Sequence, residues 1–138
     1  MLRKCFVIVL FIFMIFPINA ALADELTNRV TEFYTKVFTG KDIQLKEWFV
    51  KDIPQERLTD PYFGVESMIK ISTRQALRNG GLKTIKVINV KKSDTINLVE
   101  VEIEFNNSEK ITGGDVWIIE DSKWKITRKP GQDDNFGK

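Results

Sequence analysis

Apolar and polar positions repeat along the chain with two periods, and the period changes once. Between residues 25 and 39, Leu26, Val30, Phe33, Tyr34, Val37 and Phe38 recur at the i, i+4, i+7, i+8 spacing of one buried helix face, with Arg29, Glu32 and Lys36 on the remainder. Gly40 follows the last periodic residue, where a helix end favours a residue without a Cβ. Residues 42–50 predict a second, short helix, with Asp42 as its cap and Ile43, Leu45, Trp48 and Phe49 as its apolar positions. The polar stretch 51–60 predicts irregular chain. Asp60 and Pro61 then predict an N-cap and first helical position. The third helix runs to about residue 78 with Val65, Met68, Ile69, Ser72, Ala76 and Leu77 on one face, and Gly80-Gly81 ends it.

From residue 82 the period falls to two. Residues 83–91 predict a strand closed by the turn Lys92-Ser93-Asp94. In 95–105, Val99, Val101, Ile103 and Phe105 point one way and Glu100, Glu102 and Glu104 the other. Asn106-Asn107-Ser108 turns the chain into a third strand, 110–120, where Gly113-Gly114 predicts a bulge or bend. Asp121-Ser122 makes a tight turn into a last strand, 123–128, and the tail after Pro130 is polar and frayed. A sheet with one apolar face must bury it, and the preceding helices supply the cover. The fold class is therefore α+β, three N-terminal helices packed on an antiparallel sheet of about four strands.

The N-terminus has another character. Met1-Leu2-Arg3-Lys4 is a short basic segment, Cys5 to Phe16 is apolar, and Ala21 and Ala23 form a small-x-small cleavage pattern before Asp24. The apolar run of about 12 residues reaches roughly 18 Å as a helix, short of a roughly 30 Å hydrocarbon core. Extending it to Ala23 passes Pro17 and Asn19, so an uncleaved anchor is the competing reading. The expectation is a cleavable signal peptide at 1–23, one domain at 24–130 and a disordered tail at 131–138, exported to the periplasm or the extracellular space, with no stable membrane anchor after cleavage. The lone cysteine, Cys5, leaves with the signal, so the mature chain has no disulfide, thiolate metal site or cysteine nucleophile.

Charge changes the picture too. All 19 acidic residues follow Ala23, while Arg3 and Lys4 are two of the 21 basic ones, so the mature chain carries 19 of each and no net charge. That balance argues against a nucleic-acid partner and gives no support for broad attraction to anionic lipid.

Three stretches carry a resemblance. They are Val30-Thr-Glu-Phe-Tyr34 with Gly40-Lys-Asp42 and Trp48-Phe49, the sheet segment Asp94 to Glu104, and Val116-Trp-Ile-Ile-Glu-Asp-Ser-Lys-Trp-Lys-Ile126. Over residues 26–128 the chain resembles the NTF2-like superfamily, and within it the small exported domains of the DUF4878 kind. Ser122 stands where that family often shows glycine. The resemblance implies a curved sheet wrapped around the first helix, leaving an open-ended cone, and a possible homodimer through the sheet. Its members use the cavity for ligands or acid–base chemistry, or serve as interaction domains.

The chain has no histidine, which excludes histidine-containing triads, histidine zinc sites and the usual acid–base residue near neutrality. No cofactor and no metal site is expected. Acid–base work falls to a carboxylic acid with a raised pKa, a tyrosine or a lysine. Asp60 and Tyr62, beside the irregular loop, are the catalytic candidates, against a plainer role as helix cap and packing aromatic. Tyr34, Trp48, Tyr62 and Trp117 are the candidates for lining a ligand or partner site, against ordinary core packing. Trp117 falls out of phase with Val116 and Ile118 and shares a face with Ile119, which predicts the opposite side of the sheet. Trp124 and Ile126 read as structural. Glu100, Glu102 and Glu104 read as a solvated face balanced by lysines such as Lys110, Lys123 and Lys125. Neither Gly113-Gly114 nor Gly80-Gly81 sits in a strand–loop–helix phosphate unit.

Three functions are open at this point. The first is an exported, non-enzymatic binding or accessory domain for a small apolar ligand or an envelope protein. The second is an isomerase or dehydratase using a buried carboxylic acid or tyrosine. The third is a structural part of an envelope or secretion assembly.

Overall fold

The computed structural model describes residues 24–93 and 95–127. The expected signal peptide, residues 1–23, and the tail, 131–138, lie outside the described residues. Helix α1 covers 24–39, followed by α2 (Leu45–Trp48), α3 (Gln55–Thr59) and α4 (Val65–Arg78). Strands β1 (Leu82–Ser93), β2 (Ile96–Phe105), β3 (Lys110–Glu120) and β4 (Lys123–Thr127) form an antiparallel meander in that order.

The α1 stripe is buried as its spacing predicts: Leu26, Val30, Phe33, Tyr34, Val37 and Phe38 all join the core. Facing them is the inner side of the sheet, with Val99, Val101, Ile103 and Phe105 from β2 and Trp117 from β3. Phe33 is the hub, with ring centroids 5.3 Å from Tyr34, 5.3 Å from Trp48, 6.0 Å from Phe49 and 5.8 Å from Trp117. Such aromatic groupings add stabilisation beyond their buried area. Arg29 ties three elements together from outside. Its Nη2 donates to the Glu47 carbonyl at 2.7 Å, its Nε to the Trp124 carbonyl at 3.3 Å, and its guanidinium lies 3.6 Å from the Trp48 ring centroid.

Helix α4 docks on the end of α1 through Thr73, whose Oγ1 donates to the Val37 carbonyl at 2.8 Å. That bond satisfies one of the carbonyls a helix end leaves free. Helix α4 itself closes in a Schellman motif: the Gly81 amide donates to the Ala76 carbonyl and the Gly80 amide to the Leu77 carbonyl, with Gly80 at φ +83°.

Two expectations need correcting. The chain has four helices among the described residues, not three, because 55–59 of the polar stretch closes a short helix behind Pro54. The Asp60 cap serves a separate turn: its Oδ1 accepts the amides of Tyr62 and Phe63, and α4 starts only after Gly64. The sheet is also not the curved, closed cone that the resemblance implies. It is open, with β1 and β4 at opposite edges, and it does not curl. Curling needs bulges or glycine kinks distributed through a sheet. Here register shifts occur only between β1 and β2, at Leu82/Thr84 and Val87/Asn89. The pairing of β2 with β3 runs straight through Gly113 and Gly114, opposite Val101 and Glu100, so the predicted bulge is absent.

Candidate functional site

The alternation of β3 sends Ile111, Gly113, Asp115 and Trp117 to the inner side, opposite Ile103, Val101, Val99 and Asn97. Asp115 is the acid in this row, and the helix above supplies a partner for it: the Tyr34 hydroxyl donates a hydrogen bond to Asp115 Oδ2. Gly113 makes room for the ring. A Cβ there would lie 3.7 Å from Tyr34 Cε1, an ordinary contact, so any longer side chain would press on the tyrosine.

Burial, the Asp115 charge and the hydrogen bond together push the Tyr34 pKa far above its ordinary value of 10.0. The phenol therefore stays a neutral donor across the physiological range. One residue along the same row, Trp117 is fully buried, and its Nε1 has no hydrogen-bond partner among the described residues. A buried N–H without an acceptor costs roughly 1–3 kcal/mol. The inner side thus places two side-chain donors, Tyr34 Oη and Trp117 Nε1, and one carboxyl on adjacent positions of a mostly apolar face, with the buried Asn97 opposite Trp117. A neutral donor paired with a carboxyl can polarise a ligand oxygen while a neighbouring oxygen accepts a proton.

The other candidates are placed as follows. Trp48 is buried beneath Arg29 in the aromatic cluster. Trp117 faces inward, not to the opposite side of the sheet as its phase with Val116 predicts, while Ile119 is half exposed. Tyr62 is 79% exposed in the turn that Asp60 caps, so neither reaches the interior pair. Of the glutamate row, Glu102 lies 3.6 Å from Lys110 and Glu104 lies 3.8 Å from Lys83. Lys125 instead pairs with Glu120 at 3.5 Å. Glu100 faces Asn89 and Gly114 across the sheet and borders an outer-face groove of about 370 Å³ with Leu98 and Thr112, on the side away from Tyr34. Among the described residues no cluster of His, Cys, Asp or Glu is arranged to hold a metal ion.

Sequence reasoning missed Asp115. The signal was available: Asp115 lies two residues before Trp117 and two after Gly113, so all three share a face. Assigning Val116 to the core side hid it.

With this geometry in view, comparison with solved structures adds a likeness of fold. The fold is similar to the crystal structure of a Campylobacter jejuni protein described as an NTF2-like transpeptidase, with a TM-score of 0.63 and 17% identity over 74% of this chain and 96% of that one. The chain accordingly has an NTF2-like fold, with the open sheet described above. No family model matches the chain, and no curated protein does.

Proposed function

We propose that the chain is an NTF2-like domain whose working centre is the Tyr34–Asp115 pair, used for proton transfer on a small carbonyl ligand in the manner of an isomerase or dehydratase. The observation that carries this reading is the hydrogen bond from Tyr34 to Asp115 on the inner side of the sheet, with the phenol held neutral. A ligand carbonyl takes over the Tyr34 hydroxyl as its donor, and Asp115 gives up that hydrogen bond. The carboxylate accepts the proton of the C–H next to the carbonyl, and the enolate oxygen that forms is held by the phenol O–H. Returning the proton from Asp115 to a different carbon completes an isomerisation, and giving it instead to a β-hydroxyl as the C–O bond breaks releases water and completes a dehydration. The absence of histidine fits a mechanism that uses only these two groups. The transpeptidase name of the similar structure is not carried over, because a likeness at 17% identity speaks to the fold and not to the reaction.

The test is conversion of β,γ-unsaturated ketones to their conjugated isomers, followed by the rise in ultraviolet absorption. Wild-type turnover should fall about 10²–10³-fold in Tyr34→Phe, the loss of one oxyanion donor, and should vanish in Asp115→Asn with the circular dichroism spectrum retained. Binding of the ketones without turnover would instead assign a binding or accessory domain. Turnover indifferent to both substitutions would remove the pair from the chemistry altogether. For location, we propose action after export, and N-terminal sequencing of the protein from its native compartment should begin at Asp24.

A further inference from the structure

The exposed apolar residues are concentrated in one segment of the chain. Of the eight large hydrophobic residues exposed among the described residues, five lie between 62 and 78: Tyr62, Phe63, Met68, Ile71 and Leu77. Helix α4 buries Ala76 and packs Val65 and Ile69 against the core, so its opposite side is turned out. At 100° per residue the middle of that outer arc carries Lys70, Arg74 and Arg78, with Leu77 on one flank and Ile71 and Met68 on the other. The helix has one acid, Glu66, at the border of the arc. None of the three cations forms an ion pair among the described residues. Arg74 and Arg78 border a shallow groove of about 520 Å³ with Ile71, Gln75 and Asn79.

We infer that this side of α4, with the Tyr62-Phe63 turn, is a docking surface for an anionic lipid bilayer. Its chemistry is that of a helix lying in the interface plane: apolar side chains enter the headgroup boundary while lysine and arginine meet lipid phosphates. Tyr62 of the preceding turn suits the same boundary, where a ring with an apolar body and polar edge is favoured, and Phe63 adds apolar surface beside it. Charge complementarity selects the occupant. Three unpaired cations among apolar residues match a surface that is anionic and apolar at once, whereas an apolar partner would leave them without counter-charge. The even net charge of residues 24–138 conceals this local excess.

The experiment is amide hydrogen exchange of the full chain, read by mass spectrometry over peptides spanning 62–78. Phosphatidylglycerol vesicles are compared with phosphatidylcholine vesicles. Protection of 62–78 is expected with phosphatidylglycerol only, and raised salt should weaken it because the attraction is screened. Arg74→Glu with Arg78→Glu should lose the protection, as should Met68→Ser with Ile71→Ser, which keeps every charge. Unchanged exchange in β2 shows that each variant is folded. Local readout separates this contact from any made by the apolar N-terminal segment. Equal protection by both vesicle types, none by either, or protection retained in the charge-reversed variant overturns the assignment. Protection by polyglutamate but not by vesicles overturns it in favour of an acidic protein partner.

Discussion

Tyr34 can be followed through its own titration. Its pKa is raised first by burial, then by the Asp115 charge and the shared hydrogen bond. A group whose folded pKa lies above its unfolded value contributes stability that is complete below the unfolded pKa and is lost as pH rises. Stability should therefore hold up to about pH 10 and decline above it, because only the unfolded chain releases the phenol proton there. Urea unfolding across alkaline pH measures the slope, and Tyr34→Phe should remove Tyr34's share of it. At neutral pH the same variant removes the hydrogen bond between the Tyr34 hydroxyl and the Asp115 carboxyl. The expected cost is about 1–3 kcal/mol, read as a lower urea midpoint at unchanged m-value. A wild-type stability that is flat between pH 9 and the onset of alkaline unfolding would contradict the burial of this hydroxyl.

At the scale of elements, glycine positions give the sharpest contrasts. A Cβ at Gly64 would stand 2.5 Å from both the amide nitrogen and the carbonyl oxygen of Asp60, so backbone must move. At Gly113 the nearest atoms are side-chain carbons at 3.7 Å, and φ is not positive. Gly64→Ala should therefore destabilise by more than about 1 kcal/mol, whereas Gly113→Ala should be neutral or stabilise by about 0.4–1 kcal/mol. Thermal unfolding of the two variants checks the difference in sign. The β3–β4 hairpin supplies a second case. Asp121 at φ +52° and Ser122 at φ +64° both occupy the left-handed region in a two-residue loop between Glu120 and Lys123. Such loops favour glycine at the second position, so Ser122→Gly should stabilise by about 0.5–1 kcal/mol. These local features also explain what could be read in advance. Helix α1, the four strands and the Gly80-Gly81 stop were legible because each repeats a strong period or punctuation over many residues. Helix α3 was not, because in Gln55–Thr59 only Leu58 is buried, too little pattern to register. Gly64 falls inside the helix that the sequence starts at Asp60, yet it separates two turns by sterics that appear only once the chain doubles back. Tyr34 was legible as a polar group on an apolar helix face. Asp115 was not, since the phase of β3 is set by its register with β2, which no local pattern states.

At the scale of the molecule, the open sheet has two edges, and the chain treats them differently. The β4 edge is covered: Phe49 bridges Ile126 in parallel and the Val50 amide donates to the Ile126 carbonyl at 3.1 Å. The β1 edge pairs with no further strand among the described residues. It is also twelve residues long, with Ile88 and Val90 exposed on it, which makes it a template for pairing with another chain. What opposes this is charge, since β1 carries Lys83, Lys86, Lys91 and Lys92. A second copy added edge to edge would bring like charges together and would need to desolvate them. That cost bears directly on the homodimer through the sheet that the resemblance implies, for this edge suits such a dimer only if acids on the partner meet the lysines. Replacing Lys86 and Lys91 by threonine keeps strand propensity and removes two of the opposing charges. Light scattering should then show the variant associating at concentrations where the unaltered chain keeps its size, with the spectrum shifting toward added sheet. If the variant and the parent scatter alike at every concentration, the lysines do not guard this edge and the twist or the neighbouring helices must do so.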